Sequence, residues 1–209
     1  MDDSDTAPGV HRAPGRPDDR TATADAATRA SGQPDPGRRD RIVDAALEVI
    51  AAHGVAGTSH RKVAAAAGVP LGSMTYYFAG MDELLHDAFD RFADRGVARF
   101  AERMTRAHTP AEALNAVVEG IVADIPPSGS DEQVVLYELY TLAARDPAFR
   151  DITERWMLRA RTALERHFDP LTARLLDALI EGLAVHRTLD RDPAEIGQMV
   201  EGIRRITRP

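Results

Sequence analysis

Leu71, Gly72, Ser73, Thr75, Tyr76 and Tyr77 bring four hydroxyl groups, a bare backbone and one apolar side chain into seven positions. Hydroxyls and glycine-exposed N–H groups hydrogen-bond phosphate oxygens and base edges, and leucine suits a thymine methyl. The stretch holds no histidine or carboxylate, so it carries no general acid or base of its own. Thr58, His60, Arg61 and Lys62 stand shortly upstream and Arg39 further back. These cations and donors add the means to hold an anionic backbone. The chemistry on offer is recognition of a polyanion, with nucleic acid foremost.

Such groups need a rigid support, and the surrounding pattern supplies one. Val63, Ala64, Ala67, Val69, Met74 and Tyr77 fall where two crossed helices would pack. Ala64 is small enough for close approach, and Gly68 tolerates the positive φ of a sharp turn. This is the pattern of a helix-turn-helix, whose second helix enters the DNA major groove. The pattern predicts helices over 39–53, 60–67 and 71–78. Gly54 should close the first, Thr58 or Ser59 cap the second, and Pro70 open the third. A fourth should begin at Met81, with Asp82 and Glu83 in its first turn, and run to about residue 108. Met74 and either Tyr77 or Phe78 should turn inward onto Val63, Ala67 and Ile50.

The formal charge of −7 argues against indiscriminate nucleic-acid binding, but its distribution is uneven. Residues 1–37 carry net −3, residues 38–81 net +2 and residues 82–209 net −6. The net-basic segment is the one that holds the corner, and phosphate attraction is local because salt screens it within roughly 8–10 Å. The chain has no cysteine, so disulfides and thiolate metal sites are excluded. No apolar run is long enough to span a membrane, and the N-terminus lacks the apolar core of a secretory signal. A cytoplasmic protein without cofactor is the expectation. Residues 1–37, poor in large apolar side chains, read as a disordered tail.

The stretch R-I-V-D-A-A-L-E-V-I-A-A-H-G-V-A-G-T-S-H-R-K-V-A-A-A-A-G-V-P-L-G-S-M-T-Y-Y-F-A-G-M-D-E-L-L resembles, without a gap, the DNA-binding domain of the TetR family of transcriptional regulators. The resemblance implies an all-α homodimer. Each subunit would carry a three-helix DNA-binding domain over 38–82 and a helical regulatory and dimerisation domain over 83–209. It also implies a repressor released from a pseudopalindromic operator by a small ligand. Thr58, His60, Arg61, Leu71, Gly72, Ser73, Thr75, Tyr76 and Tyr77 match the family's DNA-facing positions. Thr75 stands where many members have Tyr. Met81 stands where many have a Lys on phosphate, which predicts a shallower salt dependence.

Beyond residue 85 only periodicity remains. It predicts five further helices, making nine, broken at Pro126-Pro127, Asp146-Pro147 and Asp190-Arg-Asp-Pro. Phe100, Met104, Leu114, Val118, Ile121, Tyr137, Tyr140, Trp156, Met157 and His186 are the candidate walls of a pocket for a hydrophobic or amphipathic effector. Leu175, Leu179, Gly182, Leu183, Ile196, Met199, Val200 and Ile203 are the candidate dimer face on the last two helices. The fourth helix should act as a strut between the two parts.

Two other function classes compete with this reading. An enzyme is disfavoured because no G-x-S-x-G, P-loop, G-x-G-x-x-G or H-E-x-x-H occurs. A helical ligand-binding or adaptor protein with weakened DNA binding is the closer alternative, kept open by Met81.

Overall fold

The computed structural model describes residues 37–124 and 130–207. Apart from Gly37, the segment read as a tail lies outside the described residues, as does the Pro126-Pro127 break. Among the described residues the chain forms nine helices and no strand. They are α1 (Arg38–His53), α2 (His60–Ala66), α3 (Gly72–Tyr77), α4 (Met81–Arg106), α5 (Pro110–Asp124), α6 (Asp131–Ala143), α7 (Pro147–Leu164), α8 (Pro170–Leu189) and α9 (Ile196–Thr207).

Local chemistry sets most of these boundaries. α1 ends at Gly54, whose φ of 67° lies in the left-handed region and whose N–H donates to Ile50. Ser59 caps α2 by accepting from the Lys62 N–H. At the end of α2, Gly68 has φ 64°, with its N–H on the Ala65 carbonyl and the Val69 N–H on that of Ala64. That pair of bonds is a Schellman motif, and it makes the sharp turn of the corner. Asp146 and Asp169 cap α7 and α8, each followed by a proline at the first helical position.

Two hydrophobic clusters organise the interior. The first joins α1, α2, α3 and the start of α4 to α6 and α7, through Val135, Leu139, Ala143, Phe149 and Ile152. The second joins the end of α4 to α5, α7, α8 and α9 around Met104, Leu164, Leu176 and Ile203. α4 therefore contributes to both.

Charge pairs flank this strut on two sides. Toward α1, Asp87 pairs with Arg39, Arg91 with Asp40 and Asp44, and Arg95 with Asp44 at 2.8 Å. Toward α7, Asp90 pairs with Arg155 and Asp94 with Arg159. Individually such half-exposed pairs are each worth about 0.2–1 kcal/mol. Together they fix how α4 is rotated between its neighbours.

Candidate nucleic-acid interface and ligand cavity

The corner presents two chemically different faces. Met74 and Phe78 are buried, in the same cluster as Val63 and Ile50. Of the two candidates for the inward position, Phe78 is thus the core residue, while Tyr77 is only partly buried. Leu71 (54% exposed) and Tyr76 (70% exposed) project outward, and Gly72 and Thr75 are also exposed. Large side chains left in water on so short a helix leave its outer face ready for a partner. The Tyr76 and Tyr77 rings meet edge to face at 4.8 Å, which restrains both. Ser73 is partly buried, and the Thr75 hydroxyl donates to the Gly72 carbonyl at 3.2 Å, leaving its oxygen lone pairs as acceptors.

The supporting residues divide by role. Arg61 is exposed and enters no ion pair among the described residues. The Thr58 hydroxyl donates to Gly54 at 2.8 Å, and Lys62 Nζ to Gly57 at 2.7 Å, so both stitch the loop before α2. His60 is partly buried, and its Nε2 is enclosed without a hydrogen-bond partner. Two expected contacts are engaged within the fold. Arg39 pairs with Asp87 and lies 5.1 Å over the Phe78 ring, tying α1 to α4 and to the end of α3. The Met81 side chain packs against the first cluster, as an apolar thioether should.

A cavity opens beside the strut in the other half of the molecule. Its walls are Phe92, Gly96, Arg99, Phe100 and Arg103 of α4, Val117, Gly120 and Ile121 of α5, and Glu132, Gln133 and Leu136 of α6. Trp156 and Ala160 of α7 and Asp177, Ile180, Glu181 and Ala184 of α8 complete them. Gly96 makes room for the indole: a Cβ there would lie 3.3 Å from Trp156. Phe92 stands against Trp156 with ring centroids 5.7 Å apart.

The polar groups of this cavity are mostly matched. Arg99 pairs with Glu132 at 2.8 Å and Asp177 with Arg161 at 3.2 Å. Burial still pushes the Asp177 carboxyl up, against the lowering effect of Arg161. Glu181 accepts a hydrogen bond from the Tyr140 hydroxyl at 2.7 Å. Burial raises the Glu181 carboxyl; Tyr140 opposes that effect and the neighbouring Asp177 adds to it. Burial, then Glu181, raises the Tyr140 phenol in turn.

Of the ten residues assigned to the pocket from sequence, Phe100, Ile121 and Trp156 line this cavity. Tyr140 stands behind it, acting on Glu181. Met104 is fully buried in the second cluster, against which Leu114 and Val118 pack. Tyr137 and Met157 are partly buried but absent from the walls. His186 is on the outer side of α8, exposed and 3.8 Å from Asp190, which corrects its assignment. Sequence reading missed Gln133, Asp177 and Glu181. A signal existed, since Asp177 and Glu181 are the only charges between Arg174 and His186, in an otherwise apolar run.

The candidate dimer face also divides. Leu175 and Ile196 are exposed, together with Leu171 and Leu189. Leu179, Leu183, Val200 and Gly182 are partly buried. Met199 and Ile203 are corrected to intrachain core, because α9 turns them onto the second cluster.

Comparison with known proteins matches both halves. Residues 42–88 fit the family of bacterial regulatory proteins called tetR, and residues 105–206 fit the tetracyclin repressor-like C-terminal domain. The regulator PksA of Bacillus subtilis is 27% identical over 167 residues, covering 73% of this chain and 80% of its own. Among solved structures, the proposed transcriptional regulator SCO7518 of Streptomyces coelicolor A3(2) is 50% identical, with a TM-score of 0.75, and covers 83% of this chain and 100% of its own. The multidrug binding protein EbrR, in complex with imidazole, is 35% identical, with a TM-score of 0.67 over 84% of this chain and 97% of its own. Other EbrR structures hold ethidium and proflavin. With an N-terminal helix-turn-helix, a C-terminal helical domain and these matches across both, the chain belongs to the TetR family of transcriptional regulators, DNA-binding proteins rather than enzymes.

Proposed function

We propose that this protein is a cytoplasmic, homodimeric repressor. It binds a pseudopalindromic operator through α3 and is released when a small hydrophobic or amphipathic effector enters the cavity beside α4. The observation that carries this reading is the double duty of α4. Residues 92–103 of this helix form one wall of the cavity, while Asp87, Arg91 and Arg95 of the same helix hold α1. An effector that moves α4 therefore moves the DNA-reading corner. It shifts the equilibrium only by its difference in affinity for the two positions. The dye complexes of EbrR support a small molecule as the occupant.

A dimer is supported by the exposed apolar side chains on α8 and α9 and by the open space beside Gly182 and Gly197, where an added Cβ would meet nothing. Two-fold symmetry would place two copies of α3 about one DNA turn, roughly 34–36 Å, apart. The alternative, a ligand-binding adaptor with weakened DNA binding, is favoured by Met81 packing inward and by Arg39 being held by Asp87.

A mobility-shift titration with DNA from upstream of the gene separates the two. Wild type should bind, and the double variant Thr75→Ala, Tyr76→Ala should lose at least about tenfold with its helical circular dichroism unchanged. Both side chains are exposed, so the fold does not depend on them. Failure of the wild type to bind would favour the adaptor; unweakened binding by the variant would remove α3 from the interface.

A further inference from the structure

The cavity is unbalanced in one direction: the polar groups left without a matching partner are acceptors. Gln133 is only 7% exposed and lines the cavity, yet its Oε1 is buried with no hydrogen-bond partner. Leaving a buried acceptor unmade costs about 1–3 kcal/mol, so a native site that does so has a use for it. Glu181 lines the same cavity, and its one described partner is the neutral Tyr140 hydroxyl. Asp177, one helical turn away, adds negative charge that opposes ionisation of Glu181. The arginines cannot correct this. Arg99 is held by Glu132, Arg161 by Asp177, and Arg103 has a partner of its own. The remaining surface is aromatic, with Phe92, Phe100 and Trp156 offering faces that attract cations.

Resting on the regulator reading above, we propose that the effector is a planar organic cation bearing N–H donors. Its charge sits against the Glu181 carboxylate, one N–H donates to Gln133 Oε1, and its rings lie against Trp156 and Phe92. An anionic effector would meet two recessed carboxyls, and a neutral hydrocarbon would leave Gln133 Oε1 as it is, buried and unbonded.

Three probes with one ring skeleton separate charge from donors. Proflavin is a cation with amino N–H groups, N-methylacridinium is a cation with none, and acridine is neutral in mildly alkaline buffer. Fluorescence titration of the full-length protein should rank them in that order. Glu181→Gln keeps size and an acceptor but removes the charge. It should weaken both cations by at least about tenfold and leave acridine unchanged. Gln133→Leu should weaken proflavin alone, bringing it level with N-methylacridinium. Acridine binding as tightly as proflavin, or proflavin indifferent to both substitutions, would overturn the proposal.

The same preparations are assayed for DNA binding, which separates the two levels of inference. DNA binding without discrimination among the probes overturns the cation site and leaves the regulator reading intact. Discrimination among the probes without DNA binding does the reverse.

Discussion

Single residues carry the cavity's character. Burial makes the Glu181 carboxyl harder to ionise than a free one, and the nearby Asp177 adds to that effect. The consequence for stability follows from linkage. A carboxyl whose folded pKa is raised stabilises the fold below its unfolded pKa, and that contribution is lost as pH rises through the folded one. Each tenfold change in the ionisation equilibrium on folding amounts to about 1.4 kcal/mol. Glu181→Gln, neutral throughout, should therefore match wild type below the ordinary glutamate pKa and unfold at a higher temperature as pH rises above it and through the raised folded value. Thermal melts of ligand-free protein across that range check this, and parallel curves would refute it. Asp177, also raised, should leave the variant some residual pH dependence. The acidic pair was legible as two charges in an apolar run, but only the folded chain shows that they face inward. His186 sits five residues beyond Glu181, on the outer side of α8. Periodicity groups residues by face; it does not say which face is covered.

Elements were more legible than sites, because helix ends are decided by near neighbours. Ser59, Gly68, Asp146 and Asp169 each end or begin a helix through bonds spanning at most five residues. Gly68 gives the sharpest test. Its φ of 64° is left-handed, yet a Cβ added there would meet nothing within 4 Å. The cost of Gly68→Ala is then one of backbone conformation alone, about 1–2 kcal/mol. In a chain of this size that lowers the melting temperature by roughly 2–8 °C. A variant as stable as wild type would mean that the corner does not depend on this conformation. The pairing of α4 with α1 and α7 was not legible. Its charges stand at helical spacing in the sequence, but their partners lie 47 to 65 residues away.

For the whole molecule, the outward leucines of α8 set the prediction. Leu175→Glu should yield a folded monomer by light scattering, whereas Met199→Glu, at a buried position, should destabilise the subunit itself. A Leu175→Glu protein that keeps its dimer mass would move the interface elsewhere. Expectation and structure diverge most instructively over how the parts are joined. A corner read from residues 39–85 looks self-contained, yet its cluster is completed by Val135, Leu139, Phe149 and Ile152 from α6 and α7. That has a consequence for engineering. Grafting this reading head onto another regulator, or expressing it as a fragment, would strip away side chains that complete the cluster around Ile50 and Leu85. The head is not a cassette. A working chimaera must carry the α6–α7 floor along with it or redesign the cluster it interrupts.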